Sequence, residues 1–163
     1  MKYKFEEKER KFRSCNLVLH GVAESRNQRE EKTSDQEFAE SLIQAVGSSA
    51  LIKEVIRLGK RSEDRTRPMK VILNCEAARN EVLGNLTQLK NNDRYKGVSI
   101  TEDYTLCERE LIKDFIKQAK AQNDLLPHDS PIEFKVRGTP KNGLWLKEVK
   151  RKTPQHSKYF INR

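Results

Sequence analysis

NLVLHGV, Asn16 to Val22, is an alternating run: Leu17, Leu19 and Gly21 fall on one side, Asn16, Val18 and His20 on the other. Such a run reads as a half-buried strand that glycine closes in a tight turn. About fifty residues on, RPMKVILNC (Arg67 to Cys75) repeats the pattern, with Met69, Val71 and Leu73 on one face and Lys70, Ile72 and Asn74 on the other. Each strand leads into a helical stretch, which predicts a small sheet backed by helices on one face and open on the other.

Working outward, residues 1–13 are charged, with Phe5 and Phe12 seven apart, as in a helical lead-in or the last heptad of a coiled coil. Ala23 to Lys32 is polar and reads as a connection. Ser34 with Glu37 has capping-box spacing and predicts a helix with Phe38, Leu42, Ala45 and Val46 inward and Gly47 as its stop. A second strand follows in LIKEVIRLGKR, where Val55 and Arg57 alternate with Ile56 and Leu58 up to Gly59. After the RPMKVILNC strand, a helix is expected from Glu76 to Lys90, started by Asn74, with Ala78, Val82, Leu86 and Leu89 inward. Gly84 inside it costs about 1 kcal/mol relative to Ala. YKGVSITEDYT supplies the fourth strand, with Val98 and Ile100 inward.

Thr105 and Glu108 open another helix with a stripe of Leu111, Ile112, Phe115 and Ala119. IEFKVR and LWLKEVK then form an antiparallel pair, with Asn142 and Gly143 supplying positive φ at the turn. Strand, helix, strand, strand, helix, strand is the ferredoxin-like (RRM-like) α+β order, here followed by a small helix plus β-hairpin domain. The expected division is a lead-in at 1–13, an RRM-like domain at 14–104, a small C-terminal domain at 105–152 and a basic tail at 153–163.

Charge is distributed unevenly along the chain. Of 163 residues 35% are hydrophobic and 35% charged, with a formal net charge of +9. The last thirty residues hold nine of the basic side chains and one acid, Glu148, leaving 24 basic and 23 acidic residues in the first 133. Clustered Lys and Arg favour a polyanion because binding releases its counterions, although terminal charge runs are also often only solvated. No apolar run approaches the roughly 18 residues that span a bilayer, and MKYKFEEKERK has no hydrophobic signal region, so an intracellular protein, cytoplasmic or nuclear, is expected without membrane contact. Cys15, Cys75 and Cys107 lack the spacing of a disulfide framework or zinc site and read as reduced thiols.

Neither a metal nor another cofactor is expected. Catalysis is not expected either: three His, with no HExxH, GxSxG or GxxxxGK[ST], leave nothing to assign as nucleophile, base or metal ligand.

The ordered set NLVLHGV, IRLGKR, RPMKVILN, VSITEDYT, ERELIKDFIKQAK and FKVRG resembles the RNA-binding first-open-reading-frame protein of LINE-type non-LTR retrotransposons. The resemblance covers roughly residues 10 to 150, an RNA-recognition-motif domain and a smaller C-terminal domain. It implies a protein that coats RNA, assembles through an N-terminal coiled coil and acts as a nucleic-acid chaperone. Only residues 1–13 match the coiled-coil part, so the chain reads as truncated there. A monomer is expected, with self-association where a coiled coil is present.

An RRM stacks two or three bases on aromatic side chains of its central strands. The outward positions here offer only His20, so affinity is expected to rest on phosphate contacts, with weak sequence preference and steep salt dependence. The candidate contacts to single-stranded RNA or DNA are Arg57, Lys60, Arg61, Arg65 and Arg67 around the second strand and its loop, with Lys70 and His20 on the sheet face. In the C-terminal part they are Lys135, Arg137, Lys141, Trp145, Lys147, Lys150 and Arg151. Glu63 and Asp64 in the loop offer local neutralisation instead, and Trp145 reads either as a packing anchor or as a stacking platform. The alternative from another class is a protein–protein interaction module whose sheet face or helices bind protein.

Overall fold

The structure, a computed structural model, describes residues 2–151; the basic tail expected at 153–163 lies outside the described residues. The chain divides into two compact units, one ending at Thr105 and the next beginning at Leu106.

The first unit is mixed α and β, and the strand of the opening motif is its hub. β1 (Asn16–His20) lies between β3 (Met69–Leu73) and β4 (Ser99–Glu102), and β2 (Ile52–Arg57) lies outside β3, giving an antiparallel sheet of order β2-β3-β1-β4. Register puts Leu17 opposite Val71 and Leu19 opposite both Met69 and Ile100, so one face of every strand turns apolar side chains the same way. These residues, with Val55 and Leu73, form the core together with Leu42 and Ile43 of α2 (Gln28–Ala45), its C-cap Val46, and Ala78 and Val82 of α3 (Glu76–Gly84). Fully burying one such side chain contributes about 1.5–3 kcal/mol.

Gly21 closes β1 at φ +81°, and a Cβ there would lie 2.5 Å from the Gly97 carbonyl oxygen. Glycine is therefore required twice over, for backbone conformation and for close approach of the two backbone segments.

Two helix boundaries differ from expectation. α2 starts at Gln28, not near Ser34: Asn27 accepts the Arg29 N–H at 3.1 Å and donates its amide to Glu30 at 2.8 Å. Asn27 and Glu30 thus form a capping pair about two turns earlier, and Glu30 and Glu31 in the first turn suit the positive end of the helix dipole. Its stop is as expected, since Gly47 at φ +68° sends its N–H to Gln44 while Ser48 N–H reaches Ile43.

α3 ends at Gly84 instead of running to Lys90, because the chain tightens into 3₁₀ turns at Leu86–Asn91 and Asp93–Tyr95. These place Tyr95 in the core, edge-to-face on Phe38 at 5.7 Å and hydrogen-bonded to Ser41 at 2.7 Å. Asn74 does not cap α3; Cys75 occupies that position, and the Asn74 side chain accepts the Leu51 N–H.

α1 (Lys2–Arg13) is tied to the end of the sheet. Arg13 reaches Asp103 at 2.6 Å, Asn16 donates to the same carboxylate at 2.9 Å, and the Thr105 hydroxyl donates to Glu6. Phe5 and Phe12 stay exposed.

The second unit packs α4 (Leu106–Asp124) on a hairpin of β5 (Ile132–Thr139) and β6 (Gly143–Lys150). The helix turns inward Glu108, Ile112, Phe115 and Ala119, whereas Leu111 falls off this stripe and is exposed. Asn123 near the end of α4 bonds both the N–H and the carbonyl of Phe134, which occupies part of the outer edge of β5. At the turn, Asn142 N–H bonds Thr139 carbonyl and Gly143 has φ +90°. Asn142 does not take positive φ as expected; the second such residue is Gly138, inside β5.

Candidate nucleic-acid interface

Cations of the β2–β3 loop meet acids that come from elsewhere in the first unit. Arg57 is almost fully buried: Nε and Nη2 grip both oxygens of Asp35, Nη1 donates to the carbonyls of Val22 and Arg67, and Nη2 also to Ala23. A guanidinium has five N–H donors and all are used, so the expectation that Arg57 contacts phosphate gives way to a structural role.

Arg67 pairs with Glu24 at 2.8 Å and Glu31 at 2.5 Å, and Arg61 with Glu31 at 2.7 Å and the Ser25 carbonyl at 2.5 Å. Side-chain and backbone bonds from Arg67 hold the Glu24 carboxyl down at about 2, and the same bond raises the Arg67 pKa. The neutralising acids are therefore Glu24, Glu31 and Asp35, not Glu63 and Asp64. Lys60 and Arg65 are exposed and have no ion pair among the described residues. Arg65 lines a groove of about 840 Å³ together with Arg26, Arg61, Glu24 and Glu63. Sequence reasoning missed Arg26, which sits in the polar connection before α2.

The sheet face is less open than alternation predicts. Four of the five β1 residues are buried, because Asn16 is held by Asp103 and Val18 lies between Lys70 and Thr101 in register. His20 is exposed at the strand's end opposite Ser99, and Lys70 is half-buried between Val18 and Ile56.

The hairpin of the second unit gathers the richest set. Register pairs Lys135 with Lys147 and Arg137 with Trp145, so these four share one face, with Glu133 on the same face bonded to Lys135 at 2.7 Å. Arg137, Trp145 and Lys147 are exposed. Lys150 lies opposite Ile132 in the other row, Lys141 is in the turn, and Arg151 donates to the His128 carbonyl at 3.1 Å. That row also carries Ile132, Phe134, Val136, Leu144 and Leu146, which are half-buried and apolar, and the exposed Glu148.

Two sets of cations thus stand out: the exposed Lys60, Arg65 and Arg26 in one unit, and the Lys135, Arg137 and Lys147 face in the other. No helix among the described residues is long and apolar enough to cross a membrane. No protein-family model matches this chain, and no curated protein matches it in sequence.

Proposed function

We propose that this chain binds single-stranded nucleic acid, RNA or DNA, chiefly through its phosphates and with weak sequence preference, in the manner of a retrotransposon ribonucleoprotein or chaperone and not as an enzyme. The observation that carries the reading is the hairpin face, where Lys135, Arg137 and Lys147 surround an exposed Trp145 and only Glu133 opposes them. Such a surface suits a flexible polyanion that also exposes apolar rings.

The order β2-β3-β1-β4, with helices inserted after β1 and β3, supports the ferredoxin-like, RRM-like reading of the first unit. Its sheet face has no outward aromatic residue on β1 or β3 beyond His20, which supports backbone over base recognition there. The ordered resemblance to the retrotransposon protein points the same way.

The second reading, a protein-interaction module, draws support from the closed centre of the sheet face at Val18 and from the pairing of Arg57, Arg61 and Arg67 within the protein. One experiment separates the two. Binding of single-stranded RNA, single-stranded DNA and duplex is measured across salt, where each neutralised phosphate on a single strand contributes about 0.7 to the slope of log affinity against log salt. A steep slope with single strands preferred supports the proposal. Binding no tighter than that of an unrelated basic protein favours the interaction module.

A further inference from the structure

Trp145 is 52% exposed on a two-stranded hairpin, although a tryptophan that serves as a packing anchor is normally covered. Its surroundings explain how it holds that position. Gly138, across the hairpin, has φ +86°, and a Cβ built there would overlap the Gly143 carbonyl oxygen and Cζ3 and Cε3 of Trp145. The six-membered edge of the indole is therefore seated directly against the Gly138 backbone, in space that only glycine leaves free. A glycine inside a strand commonly marks such a close approach, and here the approaching group is the aromatic ring.

A seated ring loses little freedom when something stacks on it, so its remaining exposed surface is prepared for a flat partner. The partner's charge follows from the flanks. Arg137 is directly opposite Trp145, and Lys147 and Lys135 form the next pair along. A partner that is flat, apolar on its faces and joined to negative charge within one or two strand positions is a nucleotide with its base unpaired. A plain polyanion would need the cations but not the ring, and a duplex hides the faces of its bases.

We propose that Trp145, seated on Gly138 and flanked by Arg137, Lys135 and Lys147, is a stacking platform for one unpaired nucleobase. The inference rests on the single-strand-binding reading above and adds a base contact to it.

Trp145 is the sole tryptophan of the chain, so its emission reports on this site alone. The full chain is titrated with an oligothymidylate, with an abasic phosphodiester strand of equal length, and with duplex. The expected result is quenching by oligothymidylate, with neither the abasic strand nor the duplex quenching. Trp145→Ala lowers affinity for the base-bearing strand about 5- to 150-fold without changing the salt slope, and Trp145→Phe recovers part of the loss. Circular dichroism checks that both variants fold, and the wild-type quench needs no variant. Equal binding of abasic and base-bearing strands without quenching overturns the platform while leaving phosphate binding intact. Failure of every strand to bind overturns the platform and the single-strand reading together.

Discussion

The guanidinium of Arg57 holds the carboxylate of Asp35 at two points, Nε to Oδ2 at 2.8 Å and Nη2 to Oδ1 at 2.6 Å, with both side chains under 10% exposed. The same guanidinium satisfies three loop carbonyls, so this pair joins the edge strand β2, helix α2 and the segments after β1 and before β3. Removing one partner of a buried pair leaves the other charged and unsatisfied, at a cost of about 3–5 kcal/mol. Asp35→Ala is expected to lose stability in that range by urea unfolding. A loss near zero would mean that the carbonyls alone hold Arg57.

Acid should loosen the neighbouring loop at a defined pH. The Glu24 carboxyl sits at about 2 in the folded chain, below its ordinary 4.5, because Arg67 bonds it through side chain and backbone. A depressed carboxyl contributes stability that is complete above its unfolded pKa and is lost as pH falls through its folded one. The contribution is therefore full at neutral pH and declines from about 4.5 toward about 2. Stability of Glu24→Gln measured over this window should show a shallower acid limb than the unaltered chain. Parallel curves would remove the pair from the acid response.

The loop cations should separate into two classes in a salt titration. Lys60 and Arg65 have no partner among the described residues, whereas Arg67 already bonds Glu24 and Glu31. Replacing Lys60 and Arg65 together by Ala is expected to lower the single-strand salt slope by about 1.4, two phosphates at about 0.7 each. Arg67→Ala should leave the slope unchanged and lower stability. The reverse pattern would mean that nucleic acid displaces Glu24 and Glu31 from Arg67 on binding.

Sedimentation should show a monomer at micromolar concentration. α1 is 12 residues long and offers one spaced apolar pair, Phe5 and Phe12, both largely exposed. Helices of about 12–15 residues are marginal alone, and one heptad gives too little seam for a coiled coil. Phe12→Ser should then leave the sedimentation coefficient unchanged. A stable trimer that this substitution dissolves would show that one heptad suffices here.

Alternation in NLVLHGV and RPMKVILNC determined the inward faces of β1 and β3, and with them the core, because side-chain direction along a strand follows from the pleat. Turn chemistry was legible too: Gly21, Gly47 and Gly143 stand where positive φ was needed. Helix starts were less so, since Asn27–Glu30 and Ser34–Glu37 offer two local signals and local chemistry does not rank them. Composition located the hairpin's cations, and its register placed three of them around Trp145.

Tertiary structure alone decided which cations are engaged. Arg57 and Asp35 are 22 residues apart, Arg67 and Glu24 43 apart, and folding brings each pair within hydrogen-bonding distance. A sequence shows equal charge on Arg57, Arg65 and Arg67; the fold gives two of them to carboxylates and leaves Arg65 exposed, because pairing depends on distance in space and periodicity records only direction along the chain.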